Sequence, residues 1–164
     1  MRLIPYALLL ALALVGVPST TTTASAGPAL RATGEFAADV DFTSLTATPR
    51  ANGRHCELVV QGTLSFSGTL SGVAEGTTTA LVLAPCNEAL AVPPGTFRDG
   101  FRFSGVFAGT VDGTAATGEL TYAGVTRPGG DIDATIRLRG GSNAVLRAAA
   151  TVAVGGTYTG VVKS

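Results

Sequence analysis

The chain lacks tryptophan altogether and has one methionine and one histidine among its 164 residues. With His55 as the single histidine, a multi-histidine metal site is excluded, and a histidine-based catalytic triad has only one place to start. No G-x-S-x-G, H-E-x-x-H or phosphate-binding glycine motif occurs. The sequence therefore predicts neither a metal nor a cofactor, and it shows no catalytic constellation.

Charge is also scarce, and the two signs are balanced. Charged residues make up 13% of the chain, with 11 basic and 11 acidic residues, and Lys163 is the only lysine. Nucleic-acid-binding proteins carry basic patches and membrane-surface segments carry runs of like charge, so neither kind of partner is predicted. The alanine, glycine, valine and arginine bias, with so little lysine, is typical of a high-GC bacterial gene.

The longest apolar run lies near the N-terminus and is too short to span a membrane, which needs about 20 apolar residues. Arg2 precedes an apolar stretch over residues 8–17, and Ala24-Ser25-Ala26 forms a small-x-small cleavage site. We interpret residues 1–26 as a cleaved secretory signal peptide and residues 27–164 as one secreted, extracellular domain with no membrane span.

Only two cysteines occur, Cys56 and Cys86. An even number of cysteines in a secreted chain favours one disulfide between them. The alternatives are a metal pair and a reactive thiol, but two widely spaced cysteines with a single histidine make a poor zinc site.

What the sequence has in abundance is period-two alternation of apolar and polar residues, which predicts strands. Strands with one apolar and one polar face predict a sheet that curls and closes, because closure removes exposed edges. The predicted fold class is therefore all-β, a single antiparallel up-and-down barrel of roughly eight strands with helix confined to the signal segment. The alternation covers residues 35–42, 57–70, 77–84, 97–111, 116–122, 131–139, 146–154 and 157–163.

A pattern, F-S-G-x-x-x-G-x-x-x-G-T, occurs twice, beginning at Phe66 and at Phe103. It predicts one strand–turn–strand unit used twice, with turns at Asp112-Gly113 and at the matching Glu75-Gly76. A disulfide between cross-strand neighbours would instead place the first turn near Ser71-Gly72. Either the two hairpins turn at different points of the repeat, or a bulge or the loop after the second cysteine folds back.

The inward phase of the predicted strands carries most of the aromatic residues and many small ones. Eight strands enclose either packed side chains or one small ligand, and the small residues favour a pocket. Asp99 shares this phase, but it stands at a predicted strand start, so a water-facing position is favoured over an inward one. His55 is interpreted as an exposed loop histidine. The candidate ligand-lining residues are Phe36, Phe42, Phe66, Asp99, Phe101, Phe103, Phe107 and Tyr122.

The same phases predict burial side chain by side chain. A register slip of one residue would invert whole strands together. Burial is predicted for Phe66, Phe101, Phe103, Phe107, Leu120, Tyr122, Ile136 and Leu58. Exposure is predicted for Glu57, Ser65, Arg102, Glu119 and Arg137.

The glycine and turn motifs resemble those of the allene-oxide-cyclase-like barrels, a calycin-type group that includes many small bacterial proteins. The likeness is carried by Phe66-Ser67-Gly68 with Gly72, by residues 103–113, and by Gly140-Gly141 followed by residues 155–160. It implies a small barrel over most of residues 34–162. Some of these relatives are cyclases that act on a substrate folded inside the barrel, and none of their catalytic residues is carried over to this chain.

Three function classes follow, in order of preference. The first is a secreted protein that binds a small apolar ligand inside the barrel. The second is an extracellular or envelope protein that acts by its outer surface and has a filled barrel. The third is a cofactor-free cyclase that holds its substrate in a reactive conformation. A cavity of about 300 Å3 or more would favour the first and third over the second. The sequence selects no oligomeric state.

Overall fold

The computed structural model describes residues 28–163, and the predicted signal segment, residues 1–26, lies outside the described residues. Eight antiparallel strands pair in chain order, and the last pairs with the first to give a closed barrel, which confirms the predicted fold class. The strands are β1 (Leu30–Arg50), β2 (His55–Gly68), β3 (Leu70–Val82), β4 (Asp99–Val111), β5 (Thr114–Thr126), β6 (Asp131–Gly140), β7 (Asn143–Thr151) and β8 (Gly155–Lys163).

Burial alternates along the strands, as the period-two pattern predicts. The predicted burial is confirmed for Phe66, Phe103, Phe107, Leu120, Tyr122 and Ile136, while Phe101 and Leu58 are only half-buried. The predicted exposure is confirmed for Ser65, Arg102, Glu119 and Arg137. Glu57 is half-buried because its carboxylate pairs with the Arg50 guanidinium on the neighbouring strand.

The β2–β3 hairpin turns at Thr69, and the single strand predicted over residues 57–70 is wrong. The Thr69 N–H donates a hydrogen bond to the Thr33 carbonyl at 2.9 Å, and the Thr33 N–H donates to Thr69 Oγ1 at 3.0 Å. Even-numbered residues of β2 face even-numbered residues of β3, as in the pair Phe66 and Gly72. The inward phase therefore runs through the turn unbroken, which explains why the alternation resembled one long strand.

The two copies of the repeat have different conformations, so the predicted unit of strand, turn and strand is not used twice. In the second copy Asp112 does lie in a turn, with φ of 49°. In the first copy Glu75 lies within β3 and is exposed on its outer face. The copies lie side by side instead, with Gly76 opposite Gly105.

A row of three glycines crosses the middle of the barrel wall. Gly62, Gly76 and Gly105 are successive cross-strand partners on β2, β3 and β4. A Cβ on Gly76 would lie 2.3 Å from the Ser104 carbonyl oxygen, so these strands approach too closely for any side chain. Three neighbouring strands therefore contribute no side chain to the interior at this level.

One end of the barrel, which we call the closed end, carries the connections at Thr69, 112–113 and 141–142 and is densely packed. Tyr158 lies inside it, where its hydroxyl accepts a hydrogen bond from the Leu70 N–H and donates one to the Ser67 carbonyl, both at 2.9 Å. Gly34 leaves room for this hydroxyl, since a Cβ there would lie 2.3 Å from it. The other fully buried side chains here include Leu70, Phe107, Leu120, Leu138, Leu146 and Val162.

The predicted disulfide between Cys56 and Cys86 is present, with Cα atoms 4.7 Å apart. Cys56 pairs with Val82 in the β2–β3 ladder, and Cys86 reaches it because the chain folds back after β3 into a one-turn helix, α1 (Cys86–Ala89). The first expected explanation therefore holds, since the two hairpins turn at different points of the repeat, whereas the chain folds back before Cys86 and not after it. This short helix was not predicted, and no helix among residues 28–163 is long and apolar enough to span a membrane.

The opposite end, which we call the open end, is bordered by the loop over residues 83–98 and the turns over residues 127–130 and 152–154. The Gly129 N–H donates to the Gly95 carbonyl at 3.0 Å, which attaches the loop to the β5–β6 turn. The disulfide anchors the other side of the same loop to β2. The loop is therefore fixed at two places on the rim.

The disulfide is expected to contribute substantially to stability. The double substitution Cys56→Ala with Cys86→Ala should lower the free energy of unfolding by about 3–4 kcal/mol, because it opens a loop between residues 30 positions apart. Urea denaturation followed by circular dichroism measures this, with reduced wild-type protein as the matched control. A double variant as stable as the oxidised wild type would contradict the prediction.

Candidate functional site

A cavity of about 340 Å3 occupies the open half of the barrel. Its walls are the inward side chains of β1 to β4, together with parts of β5, β6, the β7–β8 turn and the loop over residues 83–98. It reaches the surface beside the exposed side chains of Phe42, Leu90 and Val92. The barrel is thus packed at one end and hollow at the other.

The predicted ligand-lining residues are divided between these two halves. The structure places Phe66 and Phe107 in the packed closed end, where they contact each other edge to face with ring centroids 6.0 Å apart. They do not line the cavity. The predicted residues that do line it are Phe36, Phe42, Asp99, Phe101, Phe103 and Tyr122.

Phe42 lines only the mouth of the cavity and is 52% exposed, although its phase predicted an inward position. The pairing of β1 with β2 shifts between Asp41 and Thr46, so the alternation that aligns Phe42 with Phe36 is interrupted there. The Asp41 carboxylate accepts a hydrogen bond from the Thr43 N–H at 3.0 Å and holds this irregular segment.

Aromatic rings form one wall of the cavity. The Tyr122 ring contacts Phe101 and Phe36 edge to face, with centroids 4.9 and 5.3 Å apart. Phe36 in turn stacks on Phe66 in the closed end at 5.7 Å. These contacts join the cavity wall to the packed core, which makes it a rigid surface for a ligand.

Asp99 is buried at the cavity, with 9% exposure, and the expectation that it faces water is wrong. It is the first residue of β4, yet it is paired on both sides, with Val82 on β3 and Thr126 on β5. Pairing on both sides fixes the backbone of Asp99, so its side chain points inward although the residue stands at the start of a strand. Its Oδ1 atom is buried and has no hydrogen-bond partner among the described residues.

The environment of Asp99 favours the neutral carboxylic acid. Burial raises its pKa above the ordinary aspartate value, and a side-chain hydrogen bond with Thr126 offsets part of this increase. Tyr122 is similar, because its hydroxyl is buried without a partner and burial raises its pKa. Buried polar groups are normally hydrogen-bonded, so these two groups are the ones through which a bound molecule would be held.

His55 lies away from this site. It is the first residue of β2 and is half-buried, so the expected exposed loop position is wrong. Its neighbour Cys56 is tied to the loop by the disulfide. In the part of the chain that the structure describes, no cluster of three or more histidine, cysteine, aspartate or glutamate side chains could hold a metal ion.

Two parts of the site escaped the sequence analysis. Thr126 has the same phase as Tyr122 on β5, so extending that predicted strand would have placed it inside. Residues 89–97 of the rim loop have no periodic pattern, and their contribution to the cavity depends on the fold-back at the disulfide.

No protein-family model matches the chain, and no curated protein is significantly similar to it in sequence. The apolar cavity, its aromatic wall and its two unpartnered polar groups are therefore the features from which a function can be inferred.

Replacing Asp99 should stabilise the protein at neutral pH. A raised pKa means that the folded state holds the proton more tightly than the unfolded state, so the contribution of Asp99 to stability is present at low pH and lost as the pH rises through the folded-state pKa. Asp99→Asn cannot ionise and should be more stable than wild type at pH 7, by on the order of 1 kcal/mol. Urea denaturation at several pH values measures this difference.

The gain should shrink below the ordinary aspartate pKa of 3.8, where both folded and unfolded wild type carry the proton. Asp131→Asn, at the exposed start of β6, is the matched control and should leave stability at pH 7 nearly unchanged. An Asp99→Asn variant that is less stable than wild type at pH 7 would contradict the assignment.

The two buried tyrosines should respond oppositely to loss of the hydroxyl. Tyr158→Phe leaves the Leu70 N–H without its partner and should lower the free energy of unfolding by about 1–3 kcal/mol. Tyr122→Phe removes a hydroxyl that has no partner and should stay within about 0.5 kcal/mol of wild type, or exceed it. Equal decreases in the free energy of unfolding, measured in parallel denaturation experiments, would contradict the difference in hydrogen bonding between the two hydroxyls.

Proposed function

We propose that this chain is an exported β-barrel protein that binds a small, largely apolar molecule in the open half of its barrel. The observation that carries the proposal is the cavity of about 340 Å3, walled mostly by apolar and aromatic side chains. This volume lies at the lower end of the range for small-molecule sites, roughly 300–1,000 Å3. It suits a compact ligand better than a long lipid or a peptide.

The distribution of packing supports binding over a purely structural role. The alternative, a protein that acts by its outer surface, predicts a filled barrel. Only the closed end is filled, by large buried side chains that include Tyr158 and Phe107. In the open half, small inward residues such as Ala38, Gly62 and Ala80 line the cavity where large ones would fill it. The hollow is thus a property of the side chains chosen, since the backbone of an eight-stranded barrel permits either outcome.

The disulfide supports the exported location. Disulfides persist in oxidising compartments and are rare in the reducing cytosol. In this chain the disulfide also holds the rim loop that borders the cavity, so an oxidising environment would preserve the shape of the site.

A cofactor-free cyclisation is the alternative that the resemblance to allene-oxide-cyclase-like barrels suggests. It would use the same cavity, and the buried acid Asp99 would then be the nearest group that can donate a proton. Native mass spectrometry of protein purified from its own culture medium identifies the mass of the bound molecule. Incubation of the protein with that molecule, followed by chromatography and NMR, then separates the two functions, because a binder returns the molecule unchanged and a cyclase returns an isomer of the same mass.

A substitution that fills the cavity should weaken ligand binding without disturbing the fold. Ala80 lines the cavity between Leu58 and Phe101, so Ala80→Phe places a ring where the ligand would lie. With phenylbutanol as an apolar probe in isothermal titration calorimetry, we expect wild type to bind and Ala80→Phe to bind at least about tenfold more weakly.

The matched control is Ala108→Phe, which adds the same ring to the exposed outer face of β4. It should bind the probe as wild type does. Absence of binding to wild type, or equal weakening by both substitutions, would contradict a ligand site inside the barrel.

A further inference from the structure

We infer that the ligand is an apolar molecule that ends in a protonated amine, and that the carboxylate of Asp99 is its counter-ion in the open-end part of the cavity. This inference rests on the proposed function and names the ligand class. It is carried by the burial of Asp99 without a basic neighbour, by the aromatic residues on either side of it in sequence, and by its position at the start of β4.

No basic side chain lines the cavity among the described residues, and the only titratable side chains there besides Asp99 are Asp39 and Tyr122. Asp39 is exposed on the outer phase of β1, and Arg98, the neighbour of Asp99 in sequence, is exposed. The strands that flank Asp99 present Val82 and Thr126 to it. These residues supply no cation to the Asp99 carboxyl group.

The hydrogen bonding of the Asp99 carboxyl group is incomplete. Its Oδ1 atom is buried and accepts no hydrogen bond from the described residues, although the carboxyl group has a side-chain hydrogen bond with Thr126. An ammonium group supplies both missing elements, a hydrogen-bond donor and a compensating positive charge. A ligand alcohol would supply the donor alone, and a ligand carboxylate would place like charges together in a poorly solvated site.

Aromatic residues flank Asp99 in sequence. Phe97, in the loop before β4, and Phe101, on β4, each lie two residues from Asp99, and both line the cavity. A cavity that holds both a carboxylate and aromatic rings suits ammonium ions, because cations are attracted to the faces of aromatic rings.

The position of Asp99 sets the orientation of the ligand. Asp99 begins β4 at the open end, whereas Phe103 and Tyr122 pair with each other deeper in the barrel. A cationic head beside Asp99 would lie in the open-end part of the cavity, and the apolar body would extend along the aromatic wall towards Phe36. The loss of hydration of the ammonium group would be offset by the charge of the carboxylate.

Three probes with the same tail test the inference: phenylbutylamine, phenylbutanol and phenylbutyrate, titrated calorimetrically into the purified protein at pH 7. We expect the amine to bind most tightly and the carboxylate most weakly. Asp99→Asn, which keeps the size of the side chain, should weaken amine binding roughly 10- to 100-fold and leave phenylbutanol binding nearly unchanged. Retained phenylbutanol binding also shows that the variant is folded.

A pH series on the unmodified protein provides a second measurement that needs no variant. A bound cation lowers the pKa of the carboxyl group that the empty site raises, so amine binding should release a proton and strengthen as the pH rises from about 4 to 7. Calorimetry in buffers of different ionisation enthalpy detects that proton. Phenylbutanol should show no such strengthening.

The outcomes are distinguishable. If phenylbutanol binds as tightly as the amine, or if Asp99→Asn leaves the ranking of the three probes unchanged, this inference is overturned and the proposed function stands. If none of the three probes binds the wild type, the proposed function fails and the inference fails with it.

Discussion

The pairing of β1 with β8 is the constraint on which the rest of the structure depends, because it converts a sheet into a ring. It joins residues 30–37 of β1 to β8, while β1 continues for several more residues beside β2 alone. Strand lengths follow the same asymmetry, since β1 has 21 residues and β8 has 9. The ring is therefore complete at the closed end and lower on one side at the open end. On that side the exposed ring of Phe42, beyond the last β1–β8 pair, lines the opening of the cavity.

Stability and ligand access are separated along the barrel axis by the size of the inward side chains. The pairing of β1 with β8 is stabilised at the closed end, where Tyr158 lies opposite Gly34 and its hydroxyl accepts a hydrogen bond from the backbone of the β2–β3 hairpin. Large apolar side chains fill that end and supply most of the burial that holds the ring closed. On the open side of the row of glycines at Gly62, Gly76 and Gly105, small inward residues such as Ala80 leave the interior hollow beside the aromatic wall. A hollow half is tolerated because the packed half, the disulfide and the complete ladder stabilise the fold without it.

The fold was accessible from the sequence because alternation is a local signal that repeats in every strand. Burial of Phe103, Phe107 and Leu120 follows from phase alone, whatever the turns do. Turn positions were less accessible: the turn at Thr69 preserves the phase, so no pattern marks it. Phe42 and Asp99 show the same limit at the site. A shift in the β1–β2 pairing exposes Phe42, and two neighbouring strands bury Asp99, and both depend on partners that are distant in sequence.

Selectivity in a cavity of this kind depends on its few polar atoms. Apolar walls discriminate weakly, since one methylene more or less changes affinity by only about 10–200-fold, whereas a polar group that a wrong ligand leaves unpaired discriminates far more strongly. Asp99 is such a group, because its Oδ1 atom is buried without a hydrogen-bond partner among the described residues and burial raises its pKa. A side chain that costs stability in the empty barrel and regains it with a complementary ligand links folding to recognition. The same desolvation that raises the pKa of Asp99 makes its pairing with an incoming cation stronger than it would be in water.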